Sequence, residues 1–421
     1  MALWRAGEGR RLGLSFAYFA TLLASYYLIR PVRDALAAGS GPATIKYLSS
    51  VVFVVMLALV PLFGVLVTRV KRSLLLPATQ GFFALNLVCF AILFHQLPEQ
   101  LWVGRVFYVW TTAFNLAVVS IFWSFMADIW QEAQGRRLFG VIAAGGSLGG
   151  LIGPLAARAW TATIGITGIA LLAALGLCLS VAITMLLARD ERTPRVQASD
   201  STPAPARTLS LNEPLGGEIL AGLSLLARSP FMLGIACLVF FGAMLGMFVY
   251  IELAKSAASL FATTALRTTF FATRDLWVNG ASCLLQAFVV GALASRIGVR
   301  STMLVAATVV CAGFAFVALT PTAVALLWVN GVFRATEFSI GKPTRDMLWT
   351  VVSPEAKYKV KNVIETVVYR GADVVGGWAH AAFGALGFTL TAIASTSAAM
   401  ALALVMVAWS VGRRYRQMGG F

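Results

Sequence analysis

Runs of apolar residues, each about 20 long and closed off by a short cluster of charge, follow one another along the whole chain. A helix needs roughly that many apolar residues to cross a bilayer. Read run by run, the pattern predicts twelve helices, at 12–34, 46–68, 73–95, 101–128, 138–159, 162–188, 231–254, 270–294, 301–320, 322–349, 358–385 and 388–412. The longest polar stretch, 189–228, mixes Pro, Ser, Thr and both signs of charge, a composition that cannot bury a core. It reads as a linker between a six-helix bundle at 1–188 and a second at 229–421. An amphipathic piece at 218–228 is expected to lie on the membrane surface.

Composition narrows the class. Of 421 residues, 59% are apolar and 12% charged, whereas soluble domains carry about a quarter charged residues. A soluble enzyme, a disordered chain and a disulfide-stapled domain are excluded. The net charge of +16 suggests a nucleic-acid binder until the charges are located. Of the 33 Lys and Arg, 21 fall at the N-terminus, on alternate loops, in the linker or at the C-terminus, all on one side of a twelve-span arrangement. The positive-inside rule makes that side cytoplasmic, with both termini inside, so the charge reports topology and no nucleic-acid partner is expected. About ten residues precede the first span, too few for a transit peptide, which points to a bacterial inner membrane.

The two halves repeat. Gly64-Val-Leu-Val-Thr-Arg69 and Gly291-Ala-Leu-Ala-Ser-Arg296 lie 227 residues apart, as do Gly149-Gly150 and Gly376-Gly377. Glu132-Ala133 and Glu355-Ala356 lie 223 apart. Duplicated six-helix halves with a substrate site between them are a transporter architecture. The expected fold is therefore an all-α membrane protein of twelve transmembrane helices in two pseudo-symmetric bundles. Its Gly-x-x-x-x-Arg loops resemble the signature loops of the major facilitator superfamily, with Thr68 and Ser295 where that family usually has Asp.

Charges within apolar spans are costly and normally face a cavity or a partner. Arg30 with Asp34, Arg334 with Glu337, Lys342 with Asp346 and Arg370 with Asp373 stand at helical spacing and can neutralise each other. Arg33 and Arg345 have no carboxylate three or four residues away, and Pro31 is expected to interrupt backbone bonding beside Arg33. A free guanidinium from each half suits a planar carboxylate or phosphate held in bidentate fashion. Arg30 and Lys255 would add positive potential. Glu252, late in the seventh helix, either pairs with Lys255 or serves gating or proton coupling. By repeat offset Glu252 answers Arg30, and Lys255 answers Arg33, each 222 residues on.

Other signals are weaker. Cys89, Cys178, Cys237, Cys283 and Cys311 lie singly in apolar runs, and His95 and His380 are far apart, so no metal or cofactor is expected. Gly341-Lys342-Pro343-Thr344 lacks the earlier glycine of a P-loop. Gly145, Gly146, Gly149, Gly150 and Gly153 give overlapping GxxxG spacings, read as close helix packing.

Several charged segments resemble the nucleotide transporter family, the bacterial and plastid ATP/ADP antiporters. Tyr26-Tyr27-Leu28-Ile29-Arg30-Pro31-Val32-Arg33-Asp34 is similar to the family's Y-x-I-L-R-D-x-K-D, and Arg33 stands where the family has a substrate-binding lysine. Arg334-Ala335-Thr336-Glu337-Phe338-Ser339 with Pro343-Thr344-Arg345-Asp346-Met347 resembles R-A-T-K-Y-S with P-x-K-E-M, placing Arg345 at a second family lysine. Glu252 lies near a family glutamate, and Phe122-Trp123-Ser124-Phe125 with Gln134-Gly135-Arg136-Arg137 also resembles a family segment. The chain departs from the family in having arginines for both lysines, Glu337 for the lysine of R-A-T-K, and no acid between Arg105 and Trp123.

The expected function is secondary transport of a small organic anion by alternating access, by a monomer among membrane lipids, and the resemblance implies nucleotide exchange as its specific form. The alternative is proton-coupled transport of another organic phosphate or carboxylate, a lipid or a drug-like amphiphile. A polytopic enzyme would show clustered His, Asp or Cys near one interface, and a sensor would carry an additional soluble domain. Neither feature is visible.

Overall fold

The computed structural model describes residues 8–69, 72–98, 100–191 and 215–419. Among them the chain forms twelve long helical spans, one short α-helix, a separate 3-10 turn at Pro42–Thr44 and no strand. The first four spans are α1 (Gly9–Gly39), α2 (Ile45–Arg69), α3 (Arg72–Gln96) and α4 (Leu101–Ile129). The helical run Glu132–Glu191 is broken at Gly165 (φ 65°, ψ −178°) into α5 and α6, a conformation that only glycine adopts at low cost. The short helix α7 (Leu215–Arg228) follows, and α8 (Pro230–Leu260) opens the second half. Next comes α9 (264–297), then, past non-helical Gly298 (φ 77°), α10 (299–319). The chain closes with α11 (323–351), α12 (354–385) and α13 (Leu390–Gln417).

Short loops in the second half are set by local capping. The Ser229 side chain accepts from the Met232 N–H, with Pro230 in the first turn. Thr263, Thr322 and Thr389 cap α9, α11 and α13 in the same way. A hydroxyl at this position satisfies a backbone donor that the helix itself leaves without a partner.

Eight described segments are long and apolar enough to cross a membrane, and one of them, Arg137–Leu187, contains both α5 and α6. The remaining three spans are α9, α11 and α12. Each contains a π-helical turn, at Gln286–Val290, Glu337–Gly341 and Ile364–Val368 respectively. These spans also carry Arg274 and Asp275, Arg334 and Arg345, and Arg370 and Asp373. Where hydropathy falls short, the chain has placed charge and irregular helix, a combination that recurs at functional sites.

The glycine repeat has a structural meaning. Gly149 of α5 lies on the Ala20 carbonyl of α1, while its neighbour Gly150 faces Asn279 of α9. In the second half Gly376 of α12 lies on Met244 and Met247 of α8, while Gly377 faces Lys46 of α2. Each glycine pair thus packs one side on the first helix of its own half and the other side on a helix of the opposite half. Gly145 and Gly153 extend the first contact along α1, against Phe16 and Ala24, which confirms helix packing as the role of this stripe.

Three large apolar clusters, with two small ones beside them, follow from this arrangement. One draws on residues 12–187 with Ala272 added, and a second on residues 226–415. The third crosses between the halves at the end where α1 stops and α2 starts, joining Ala35, Ala38 and Leu48 to Tyr250, Ala254 and Phe271. It plugs that end of the bundle. Beside it Lys46 sits 4.6 Å from the Trp378 ring, and Trp378 donates to the Ser50 hydroxyl at 3.2 Å. The expected linker at 189–228 falls outside the described residues over 192–214. From Leu215 the chain is helical, and Gly222 lies against the Lys359 carbonyl and Val363 of α12.

Candidate substrate site

Between the halves, below the plug, lies a cavity of about 430 Å³. Helical periodicity decides which side chains reach it. On α1 the wall is Tyr26, Tyr27, Arg30 and Arg33, one face at three- and four-residue steps. On α11 it is Phe333, Arg334, Glu337 and Phe338, and on α12 Tyr369, Arg370 and Asp373. Tyr108, Thr112 and Asn115 of α4, Tyr250 of α8 and Ser49 of α2 add further polar groups. Pro31 does not interrupt α1, contrary to expectation: the helix runs unbroken through it, so Arg30 and Arg33 are presented by regular helix.

Behind this wall lies a buried ion network. Arg33 donates through Nε (2.9 Å) and Nη2 (2.6 Å) to Oδ1 of Asp34, and its guanidinium lies 5.1 Å from the Tyr108 ring. Arg274 of α9 donates through Nη2 to Oδ2 of Asp34 at 2.7 Å and to Oδ1 of Asp275 at 2.7 Å. The Tyr250 hydroxyl donates to Asp34 at 3.2 Å. Arg30 approaches Asp275 at 3.6 Å, an ion pair without a hydrogen bond. Asp34, Arg274 and Asp275 are at most 1% exposed. Removing such groups from water is repaid only when each charge is met by another.

Two expectations about free cations are corrected. Arg33 pairs with the adjacent Asp34, and Arg345 pairs with Glu337 in a two-pronged contact. That second pair spans eight residues across the π-helical turn, and Gly341 makes room for it, since a methyl there would meet the Glu337 carboxylate. The spacing rule also misassigns three local pairs. Asp34 serves Arg33 and Arg274 rather than Arg30, Glu337 serves Arg345 rather than Arg334, and Asp346 accepts from Lys361 at 2.6 Å rather than from Lys342. Arg370 and Asp373 do pair, at 3.3 Å. Arg334 has neither an ion pair nor a hydrogen bond among the described residues.

The structure brings Arg30 and Arg33 to the cavity wall. Arg345 instead lines an adjoining void of about 40 Å³ that shares Glu337 and Phe333 with the cavity. Glu252 and Lys255 sit farther along α8, past Tyr250. The Lys255 ammonium donates to Glu252 at 2.7 Å, and Nε2 of His380 on α12 stands 2.6 Å from the same carboxylate oxygen. Sequence reading missed Arg334 as the unpaired cation, Asp34 and Arg274 as the bridge between halves, and Tyr250. The adjacent Arg274-Asp275 in a span of weak hydropathy is the one signal that pointed there.

The sequence matches the family described as Major Facilitator Superfamily over residues 13–344. The chain is a member of the major facilitator superfamily. Solved structures agree along nearly its whole length. A bacterial homolog of the human lysosomal transporter Spinster, inward-facing and unoccupied, shares 12% identity over 99% of both chains, with a TM-score of 0.62. The nucleoside transporter NupG shares 14% over the whole of both chains, with a TM-score of 0.59. A bacterial homologue of the iron transporter ferroportin, inward-facing, shares 13% over 96% of this chain and 98% of its own, with a TM-score of 0.66. Identities this low establish the fold. No curated protein matches the sequence. The superfamily membership makes this chain a multi-pass membrane transporter rather than an enzyme.

Proposed function

We propose that the protein moves an organic anion by alternating access, and that its specific form of work is nucleotide exchange of the ATP/ADP type. The observation that carries this reading is a cavity between the halves with four arginines on its wall, one of them without a partner. Aromatic rings at Tyr27, Tyr108, Phe333 and Tyr369 offer flat faces to a base. Arg30 takes the anionic groups with Arg33, held by Asp34, beside it on the same wall, and Arg345 acts through Glu337, the wall residue it holds, while Lys255 adds positive potential from beyond Tyr250. With the basic loops cytoplasmic, as in a bacterial inner membrane, the plug faces outside and the conformation is inward-facing. An empty cavity carries unneutralised positive charge through any closed state, whereas a bound anion cancels it, and this favours exchange over net flux.

The test is uptake of labelled ATP into proteoliposomes, with and without ADP inside. Internal ADP is expected to stimulate uptake. Arg345→Ala releases Glu337 to Arg334, three residues before it, and should lower the rate by roughly tenfold or more. Uptake of other organic phosphates or carboxylates without nucleotides would keep the broader reading and remove the narrower one. Flux of a neutral amphiphile that Arg345→Ala leaves intact would sink both.

Proton-coupled transport is a second reading, favoured by the buried Glu252–His380 contact with Lys255 beside it. A carboxylate shared by an imidazole and an ammonium changes partners when the imidazole gains or loses its proton. Two residues before Glu252, Tyr250 bonds Asp34 across the halves, so a change at Glu252 bears on the plug. Under an imposed proton gradient, wild-type uptake into empty vesicles should accelerate. Glu252→Gln should abolish that acceleration while counterflow persists. Wild-type uptake indifferent to the gradient would exclude this role.

A further inference from the structure

Resting on the anion reading above, the geometry points to a dianion as the substrate, held jointly by Arg30 of the first half and Arg334 of the second. The charges around the cavity do not balance. Among the described residues six arginines (30, 33, 274, 334, 345 and 370) face four carboxylates, those of Asp34, Asp275, Glu337 and Asp373.

The pairing shows where the two surplus charges sit. Glu337 is taken by Arg345, and Asp373 by Arg370. Asp34 and Asp275 are shared among Arg33, Arg274 and Arg30, and the short hydrogen bonds all go to Arg33 and Arg274. Arg30 is left with the one loose contact, at 3.6 Å, although it is 6% exposed. Arg334 is left with none. Both line the same cavity, and Arg334 lies within electrostatic range of Arg30. Two guanidiniums of like charge, partly desolvated and facing one space, destabilise the empty site.

A ligand with two negative charges supplies the missing partner. A terminal phosphoryl group fits best, because its three oxygens accept from two guanidinium forks at once, and above pH 7 it carries nearly two charges. Because α1 and α11 belong to different halves, the same group draws the halves together around it. Arg33 and Arg345, already held by their carboxylates, then shape and tune the site from beside it.

The probe is a charge series on one body: adenosine, its cyclic monophosphate with one charge, and AMP with two, titrated into purified protein in detergent above pH 7. AMP should bind tighter than the cyclic monoanion by roughly ten- to a hundredfold. Arg334→Gln should erase that ratio, and Arg334→Lys should keep it at weaker affinity. The empty Arg334→Gln protein should melt higher than the wild type, since an unmatched charge has gone, and AMP should no longer raise its melting temperature. Equal binding of the monoanion and AMP by the wild type would overturn the inference and leave the anion reading standing. Binding of adenosine alone would overturn both. Failure of Arg334→Gln to fold would itself contradict the claim that Arg334 lacks a structural partner, and the Lys variant would still report the ratio.

Discussion

Replacing Asp34 by asparagine is expected to produce a large loss of stability among single substitutions in this protein. The carboxylate is fully buried and receives four hydrogen bonds, two from Arg33, one from Arg274 and one from Tyr250. An asparagine of the same shape keeps a carbonyl oxygen but brings an NH2 group to face a guanidinium. Among the described residues Arg33 would lose the one carboxylate it hydrogen-bonds, and Arg274 would retain its pair with Asp275. Removing one partner from a buried ion pair typically costs about 3–5 kcal/mol. For a chain of this size that corresponds to a melting temperature lower by roughly 3–6 °C in detergent.

The location adds a functional consequence. Asp34 is on α1, whereas Tyr250 and Arg274 are on α8 and α9, so the bonds that vanish are ones holding the plugged end shut. Asp34→Asn should therefore also expose the plug, raising thiol labelling of a cysteine placed at Ala38. The double variant Asp34→Asn with Arg274→Gln removes charge from both sides and should recover part of the lost stability. Absence of any change in Asp34→Asn would mean that the network does not hold the halves together.

The division between what the sequence reveals and what it hides follows from the range of each interaction. The twelve spans are legible because the bilayer imposes length and apolarity on each helix separately. Their ends are less so. The fifth and sixth spans divide at Gly165 rather than near 160, because one residue with positive φ suffices to turn the chain. The glycine stripe and the repeat were readable because small residues at fixed spacing have one physical use, and Gly149-Gly150 and Gly376-Gly377 occupy equivalent places.

The site itself was only half legible. Own-helix spacing finds Arg370–Asp373 and Glu252–Lys255 but not Arg274–Asp34, whose partners are 240 residues apart in the chain. Nor does regular spacing anticipate Arg345–Glu337, which reaches across a π-helical turn. Arg33 and Arg345 looked free because their carboxylates stand one and eight residues away, positions outside the three- and four-residue rule. Arg334 looked paired because Glu337 stands at the right spacing, yet Glu337 has the alternative partner. Competition among charges in three dimensions decides which cation remains for a ligand, and a single helix does not contain that information.

The glycine contacts yield a prediction that separates packing from helix propensity. Alanine at Gly149 would drive its methyl into the Ala20 carbonyl and the Ala24 amide of α1, both backbone atoms that cannot move aside alone. Alanine at Gly153 would come within 2.7 Å of the Ala24 carbonyl. Overpacking costs about 1–3 kcal/mol when side chains adjust, and backbone obstruction belongs at or above the upper end of that range. At Gly376 the same methyl meets Met244 Cγ and Met247 Cβ at 3.1 Å and the Met244 carbonyl at 3.2 Å, close contacts that a shift of a few tenths of an ångström relieves, so Gly376→Ala should be milder.

Gly140, on the same helix as Gly149, has open space around its Cβ position, and Gly140→Ala should gain stability because alanine is favoured over glycine in a helix by about 1 kcal/mol. Melting temperatures in detergent should therefore rank Gly140→Ala above the wild type, Gly376→Ala slightly below it and Gly149→Ala far below. Propensity alone would raise all three. A Gly149→Ala protein as stable as Gly140→Ala would show that α1 and α5 stand farther apart than described, and with them the frame that sets Arg30 opposite Arg334.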